Sequence, residues 1–283
     1  VTRLEHTTQT INGINMHIVK AGPKDGTPLL LLHGFPEFWY SWRNQIDTLT
    51  QAGFRLWMPD QRGYNLTDKP QDVDAYNLDV LTDDILGLID AMGQEKGNVV
   101  AHDWGGGALW WAVARHPERF NRVMLLNIPH HSVFKKALKD KPEQRRKSMY
   151  MAFFQLPILP EVTTRALNWR FLEKWAFGKS DAFSKDDLAL YKKAWGQPGA
   201  IKAMLNWYRA VRQSRTERME DHRIHVPVRI VWGKDDFAFA PTLAQESVEM
   251  CDEGELILVE GASHWVQHEA ADTVNANIIA FFD

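Results

Sequence analysis

Apolar and polar positions alternate through residues 5–11 and again through residues 14–20, with Asn12-Gly13 between the two runs. A period of two on either side of an Asn-Gly pair predicts a β-hairpin, because both central residues of a tight turn need positive φ. Residues 29–32 are apolar without a break, which predicts a strand covered on both faces. Residues 39–52 place Trp42, Ile46 and Leu49 on one helical face, and residues 54–58 read as the next strand. A helix over 78–92 follows, with Val80, Leu81, Ile85, Leu88 and Ile89 apolar. A short β-branched strand at 99–101 precedes Gly105-Gly106-Gly107, which open a helix over 108–116, and residues 123–126 form another strand. There the rhythm stops. Residues 130–222 carry no strand pattern and read as several helices, broken at Pro157, Pro160, Gly178 and Gly196-Gln197-Pro198. Strands resume at 228–232 and 255–259, and a helix over 270–282 closes the chain. Strands alternating with helices predict an α/β class with a doubly wound, mostly parallel sheet. Its core is residues 1–129 and 223–283, and the helical insert is 130–222. Open α/β sheets bind ligands at the carboxyl ends of their strands, so an insert that follows a strand is placed to be a lid.

Composition narrows the function classes. The 283 residues carry a net charge of −3, which gives no basic field for nucleic acid or an anionic membrane surface. One cysteine, Cys251, excludes an internal disulfide, reads as a buried small side chain, and fits a reducing, cytoplasmic compartment. No apolar run is long enough to span a membrane, and the first residues carry no apolar signal stretch. Twelve tryptophans and fourteen phenylalanines are a large aromatic endowment, much of it for the core and some of it suited to lining an apolar pocket. The expected partner is a small apolar molecule; a homodimer is compatible with the composition.

Candidate chemistry centres on His102-Asp103-Trp104-Gly105-Gly106. A strand, a sharp bend and a helix form the layout of a nucleophile elbow, whose apex side chain is thrust out of the sheet top. The usual pattern is Gly-x-Ser-x-Gly; here Asp103 stands at the apex and Ala101 at the first glycine position. An aspartate is ionised at neutral pH and attacks without a base. On its own it is as easily a helix cap. Two further strand ends change that balance. The strand at 228–232 runs into Gly233-Lys234-Asp235-Asp236, and the strand at 255–259 into Gly261-Ala262-Ser263-His264-Trp265. An acid and then a histidine in that order complete a triad of Asp103, Asp236 and His264, with Asp235 the rival acid. His264 would activate water against an ester of Asp103, and Asp236 would hold its tautomer. Backbone N–H groups of Phe35 and Trp104 would form the oxyanion hole.

No metal or cofactor is expected. His130-His131 with Asp235-Asp236 lacks a third ligand at sensible spacing, and the three glycines do not match a dinucleotide fingerprint. His33 and His102 read as structural. His6, His17, His116, His222, His225 and His268 carry no motif and read as surface or capping groups.

His33-Gly34-Phe35-Pro36-Glu37, Trp39-Tyr40-Ser41-Trp42-Arg43, the Asp103 elbow and Ser263-His264-Trp265 together resemble the epoxide hydrolases of the α/β-hydrolase superfamily, over essentially the whole chain. The resemblance implies the α/β-hydrolase fold with a helical lid. It also implies two lid tyrosines as acids: Tyr208, in Leu205-Asn206-Trp207-Tyr208-Arg209, and Tyr150, in Ser148-Met149-Tyr150. Tyr191 is the alternative lid donor. Asp236 is preferred over Asp235 through the match of Asp236-Phe237 and Pro241. The implied reaction opens an epoxide to a vicinal diol through a covalent aspartyl ester. The phenols make chemical sense, since a departing alkoxide needs a proton. Phe35, Trp104 and Trp265, with Phe153 and Phe154, would line the substrate pocket. A haloalkane dehalogenase shares the Asp-Trp pair but commonly has Asn where Phe35 stands, and its halide needs no tyrosine. A ligand-binding relative with little turnover is the third reading.

Overall fold

The computed structural model describes residues 2–213 and 222–283. Eight strands form one sheet in the order β1-β2-β4-β3-β5-β6-β7-β8. β1 (Leu4–Ile11) and β2 (Ile14–Ala21) are the predicted hairpin, paired antiparallel from Leu4 with Ala21 to Ile11 with Ile14. Asn12 and Gly13 turn it with φ of 44° and 75°. β2 also runs antiparallel to β4 (Phe54–Pro59). All other pairings are parallel: β3 (Thr27–Leu32) lies between β4 and β5 (Gly97–His102), followed by β6 (Phe120–Leu126), β7 (Val228–Gly233) and β8 (Gly254–Val259).

The central strands are buried on both faces, which explains their unbroken apolar runs. Leu30, Leu32, Val99, Ala101, Val123 and Leu125 face one core. Their neighbours Leu29, Leu31, Val100, Met124 and Leu126 face the other. Helices α1 (Arg43–Gln51), α2 (Leu78–Ala91) and α3 (Asp103–Arg115) connect the first half of the sheet. Among the described residues six helices fall between β6 and β7: α4 (His131–Asp140), α5 (Pro142–Lys147), α6 (Met149–Phe154), α7 (Leu159–Phe177), α8 (Lys185–Trp195) and α9 (Ala200–Gln213). The expected end of the insert adjoins residues 214–221, which lie outside the described residues. α10 (Thr242–Val248), α11 (Val266–Glu269) and α12 (Ala271–Phe282) complete the chain.

Four local expectations are corrected. The helix over 39–52 is divided, with a 3-10 turn at Trp39–Trp42 ahead of α1. The closing helix is divided at Ala270, between α11 and α12. Pro160 does not break a helix but sits in the first turn of α7, where its missing N–H has no partner to lose. The real interruption of α7 is at Ala166–Trp169, where Leu167, Asn168 and Trp169 have positive φ without any glycine to announce it. Finally, α3 begins at Asp103 and includes all three glycines. Close packing favours Gly105 and Gly106. A Cβ on Gly105 would lie 2.7 Å from the Leu32 carbonyl oxygen, and one on Gly106 would overlap Ile128. The glycines let α3 sit directly against the ends of β3 and β6.

Candidate active site

β5 delivers Asp103 to the carboxyl edge of the sheet, and the chain bends there with φ of 48°. That left-handed conformation costs a non-glycine residue about 1–3 kcal/mol, and surrounding contacts hold it. Phe35 N–H donates to Asp103 Oδ1 at 2.8 Å. Gly34 is required beside it, since a Cβ on Gly34 would overlap the Asp103 side chain. Ala101 has no such demand: it stays inside β5 with negative φ, so the elbow does not need a glycine there. The Trp104 N–H lies in the first turn of α3, where the helix supplies no acceptor of its own.

His264 and Asp236 arrive from the loops after β8 and β7. His264 Nδ1 lies 3.0 Å from Asp236 Oδ2, and its Nε2 lies 3.6 Å from Asp103 Oδ2. All three side chains are buried. Asp236 Oδ1 accepts from the Ala238 and Phe239 N–H groups at 2.6 and 3.0 Å. Asn127 Nδ2 donates to Asp236 Oδ2 at 2.7 Å, while Asn127 Oδ1 accepts from Gly233 N–H at 2.9 Å. Both Asp236 oxygens are therefore fixed by donors. Asp235, the rival acid, is exposed.

The electrostatics follow from this packing. Burial disfavours the His264 imidazolium, but the flanking carboxylates of Asp236 and Asp103 outweigh it and push the pKa up to about 10. Burial likewise opposes ionisation of Asp103, yet His264, His102 and the Phe35 N–H together hold it below the usual carboxylate range. The resting pair is thus carboxylate and imidazolium.

Tyr150 and Tyr208 come from α6 and α9. The Tyr208 ring packs edge-on against Trp104 at 4.9 Å, Phe154 at 5.0 Å and Phe35 at 5.2 Å between centroids. Tyr150 packs against Trp175 at 5.0 Å. Burial raises both phenols above their ordinary pKa, and the charge of Asp103 adds to the rise. Both stay protonated and can donate. Two cavities meet at this point. One, of about 10 Å³, is lined by Asp103, His264, Phe35, Trp265, Tyr150 and Tyr208, among others. The other, of about 70 Å³, shares Asp103 and the two tyrosines and continues past Trp104, Met151 and Val211. Trp265 is anchored by its indole N–H, which donates to the Ala176 carbonyl at 2.9 Å. Phe154 packs on Phe35, whereas Phe153 lines neither cavity.

Tyr191 is elsewhere: its hydroxyl donates to Glu37 Oε1 at 2.6 Å. Glu37 is fully buried and also accepts from His268 Nε2 at 2.8 Å and Gln267 Nε2 at 3.0 Å. Burial opposes its charge, but His268 and the neighbouring His102 hold its pKa well below the ordinary value. His268 is therefore a core residue and not a surface one, with Arg43 3.0 Å from its other nitrogen. His17 is corrected in the same way, buried 2.7 Å from Asp60. His102 lies with Nε2 2.8 Å from the His264 carbonyl, which requires a proton on that nitrogen. His33 holds the neighbouring loop through Gly34 O and Gln61 N. His131 is turned onto the Gly107 carbonyl at 2.7 Å.

Sequence reading missed Asn127 and Glu37. Asn127 carried a signal, since it ends β6 at the same sheet edge and asparagine tolerates its φ of 44°. Glu37 carried none, because a carboxylate in a loop reads as exposed until its partners are known.

Comparison with known proteins agrees with this geometry. The family model described as the alpha/beta hydrolase fold matches residues 27–271. The AB hydrolase superfamily protein YfhM of Bacillus subtilis is 46% identical over 273 residues, 95% of each chain. Epoxide hydrolase 1 of Caenorhabditis elegans is 36% identical over 95% of this chain and 68% of its own. The Bacillus megaterium epoxide hydrolase, solved with an inhibitor, superposes with a TM-score of 0.87 at 32% identity, covering 98% of this chain and 99% of that one.

Proposed function

The chain belongs to the epoxide hydrolases of the α/β-hydrolase fold, and we propose that it opens epoxides through a covalent ester on Asp103. The supporting observation is the single point at which a buried carboxylate, two protonated phenols and a carboxylate-paired imidazole face one cavity. In this reading the carboxylate oxygen Oδ2 attacks an epoxide carbon. The C–O bond breaks, and Tyr150 and Tyr208 supply the proton that the leaving oxygen needs. Esterification removes the Asp103 charge, one of the two that hold the His264 proton. His264 then gives up that proton, which restores the phenol, and becomes a base.

Neutral His264 takes a proton from water as the water oxygen attacks Cγ of the ester. Negative charge builds on Oδ1, the oxygen to which Phe35 N–H already donates, so the donor is in place before the charge forms. The Trp104 N–H is the second donor in this reading. Collapse of the intermediate expels the diol oxygen, which takes the proton held by His264, and the carboxylic acid left on Asp103 then passes its proton to His264, restoring the carboxylate and imidazolium pair. Asp236 holds His264 throughout and stays ionised.

The helical insert, residues 130–222, acts as a lid in the same proposal, because it supplies both phenols. Phe35, Trp104 and Trp265 would contact an apolar or aromatic epoxide. Among the described residues no helix is long and apolar enough to cross a membrane; with the single buried Cys251, this supports a cytoplasmic reading. The deciding experiment is intact-mass measurement of His264→Gln after mixing with styrene oxide. The chain should gain the mass of one substrate, and the adduct should vanish in Asp103→Ala. An unmodified His264→Gln chain that still forms diol would sink the ester route.

A further inference from the structure

The net charge of −3 conceals a division. The insert, residues 130–222, carries 19 Lys or Arg against 10 Asp or Glu, while the rest of the chain carries 14 against 26. The expectation of no basic field, drawn from the whole chain, is therefore corrected for this segment. Most of the exposed large apolar side chains among the described residues lie in the same insert, between residues 149 and 171. Leu156, Pro157, Ile158 and Leu159 are exposed in succession, and Val162 follows one turn on. Beyond the interruption of α7, Leu167 and Phe171 are exposed as well. Ile158 is 73% exposed and Leu167 82%, and both stand at positive φ, which disfavours a bulky side chain. Single exposed apolar residues are ordinary; a continuous run of them marks an interaction surface. The run is fastened from below. Arg209 on α9 donates to the Phe154 and Leu156 carbonyls at 3.1 and 2.7 Å and pairs with Glu161 at 2.8 Å. Pro160 and Thr164 turn inward and are buried, which leaves their neighbours facing out. Exposed cations interleave with these positions. Arg165 is three residues from Val162, and Arg170 is three residues from Leu167 and adjoins Phe171. The two acids of α7, Glu161 and Glu173, are taken by Arg209 and Lys192.

We propose that this face of the insert docks on an anionic lipid bilayer. The apolar side chains enter the boundary between headgroups and acyl chains, and Arg165 and Arg170 meet the lipid phosphates. The proposal is independent of the chemistry assigned to Asp103. Two other occupants fit less well. A second copy meeting the same face by two-fold symmetry would set cation against cation. A nucleic acid would meet the arginines but bury none of the apolar run, because its phosphates form the outer surface. A bilayer with acidic headgroups answers both halves of the pattern.

The test is flotation of the intact protein with two kinds of vesicle, phosphatidylcholine alone and phosphatidylcholine with about one third phosphatidylglycerol. The protein should float with the anionic vesicles and not with the neutral ones, and added salt should weaken the binding. The Arg165→Gln, Arg170→Gln double variant should bind about 20-fold more weakly, since one basic residue beside such a surface contributes about fivefold. The Ile158→Ser, Leu167→Ser double variant should lose at least about tenfold through its apolar contacts. Lys24→Gln, an exposed change on the core, should bind as the parent does. All these side chains are exposed, so urea midpoints should match the parent and lost flotation then means lost docking. Failure of the parent to float, or flotation that neither double variant weakens, would overturn the proposal. A dimer in light scattering that Ile158→Ser, Leu167→Ser dissociates, in a protein that does not float, would give the face to a second copy and overturn it. Retention of a DNA duplex without flotation would give the face to nucleic acid and overturn it equally.

Discussion

The Tyr191 hydroxyl donates to Glu37 Oε1 at 2.6 Å and lines none of the cavities that reach Asp103. A phenol from α8 is thereby bonded to the loop that follows β3, and the same carboxylate gathers His268 and Gln267 from α11. The contact ties the insert to the core without entering the chemistry. Tyr191→Phe should therefore destabilise the fold by about 1–3 kcal/mol, the cost of removing a donor from a buried charge. Its kcat on styrene oxide should stay within about twofold of the parent. Urea unfolding and steady-state assays check the two halves. A kcat loss as large as that of a Tyr208 variant would return Tyr191 to the reaction.

Tyr150→Phe and Tyr208→Phe should behave in the opposite way. On the proposed mechanism each removes a proton donor at the point where alkoxide forms, so each should lower the alkylation rate about 10–100-fold. Removing both should abolish diol formation, because no phenol remains. Stopped-flow fluorescence of single turnovers measures the step directly. Halide release from bromoalkanes that survives the double change would favour dehalogenation over epoxide opening.

The two half-reactions should separate with pH. In the proposed mechanism alkylation needs ionised Asp103, whose pKa is lowered, and protonated phenols, whose pKa values are raised. Its rate should be flat from about pH 5 to about pH 9. In the same mechanism ester hydrolysis needs neutral His264. In the resting protein that group titrates near 10, held up by two carboxylates. Alkylation neutralises one of them, so the pKa in the ester lies below 10. Hydrolysis should therefore rise with pH through that lower value and then level off. A hydrolysis rate that falls over the same range would contradict a base role for His264.

Gly34→Ala and Asn127→Ala should fail at different steps. A Cβ on Gly34 has no room beside the Asp103 carboxylate, so the nucleophile is displaced and alkylation itself should drop by at least about 100-fold. Asn127→Ala removes one of four donors to Asp236. It loosens the partner of His264 and leaves Asp103 in place. Hydrolysis should slow about tenfold while alkylation persists, so ester should accumulate in intact-mass spectra of the turning-over protein.

Reading the chain by itself located all eight strands of the sheet: the first two by alternation around Asn12-Gly13, the central ones because they are buried on both faces and so read as unbroken apolar runs. It also singled out Asp103, His264 and the two adjacent acids, because residues at strand ends share one edge of a parallel sheet wherever the intervening chain goes. What it left open depended on distance between remote segments. The choice between Asp235 and Asp236 turns on which carboxylate points inward to Asn127 and the Ala238 and Phe239 amides. The separation of Tyr191 from Tyr150 and Tyr208 turns on how six helices pack over the sheet, and helical periodicity says which face is apolar but not what it meets. The burial of Glu37, His17 and His268 was likewise decided by partners contributed from distant parts of the chain. Local pattern sets what each segment can become; a buried polar group acquires its meaning only when the fold brings it the hydrogen bonds that make its burial tolerable.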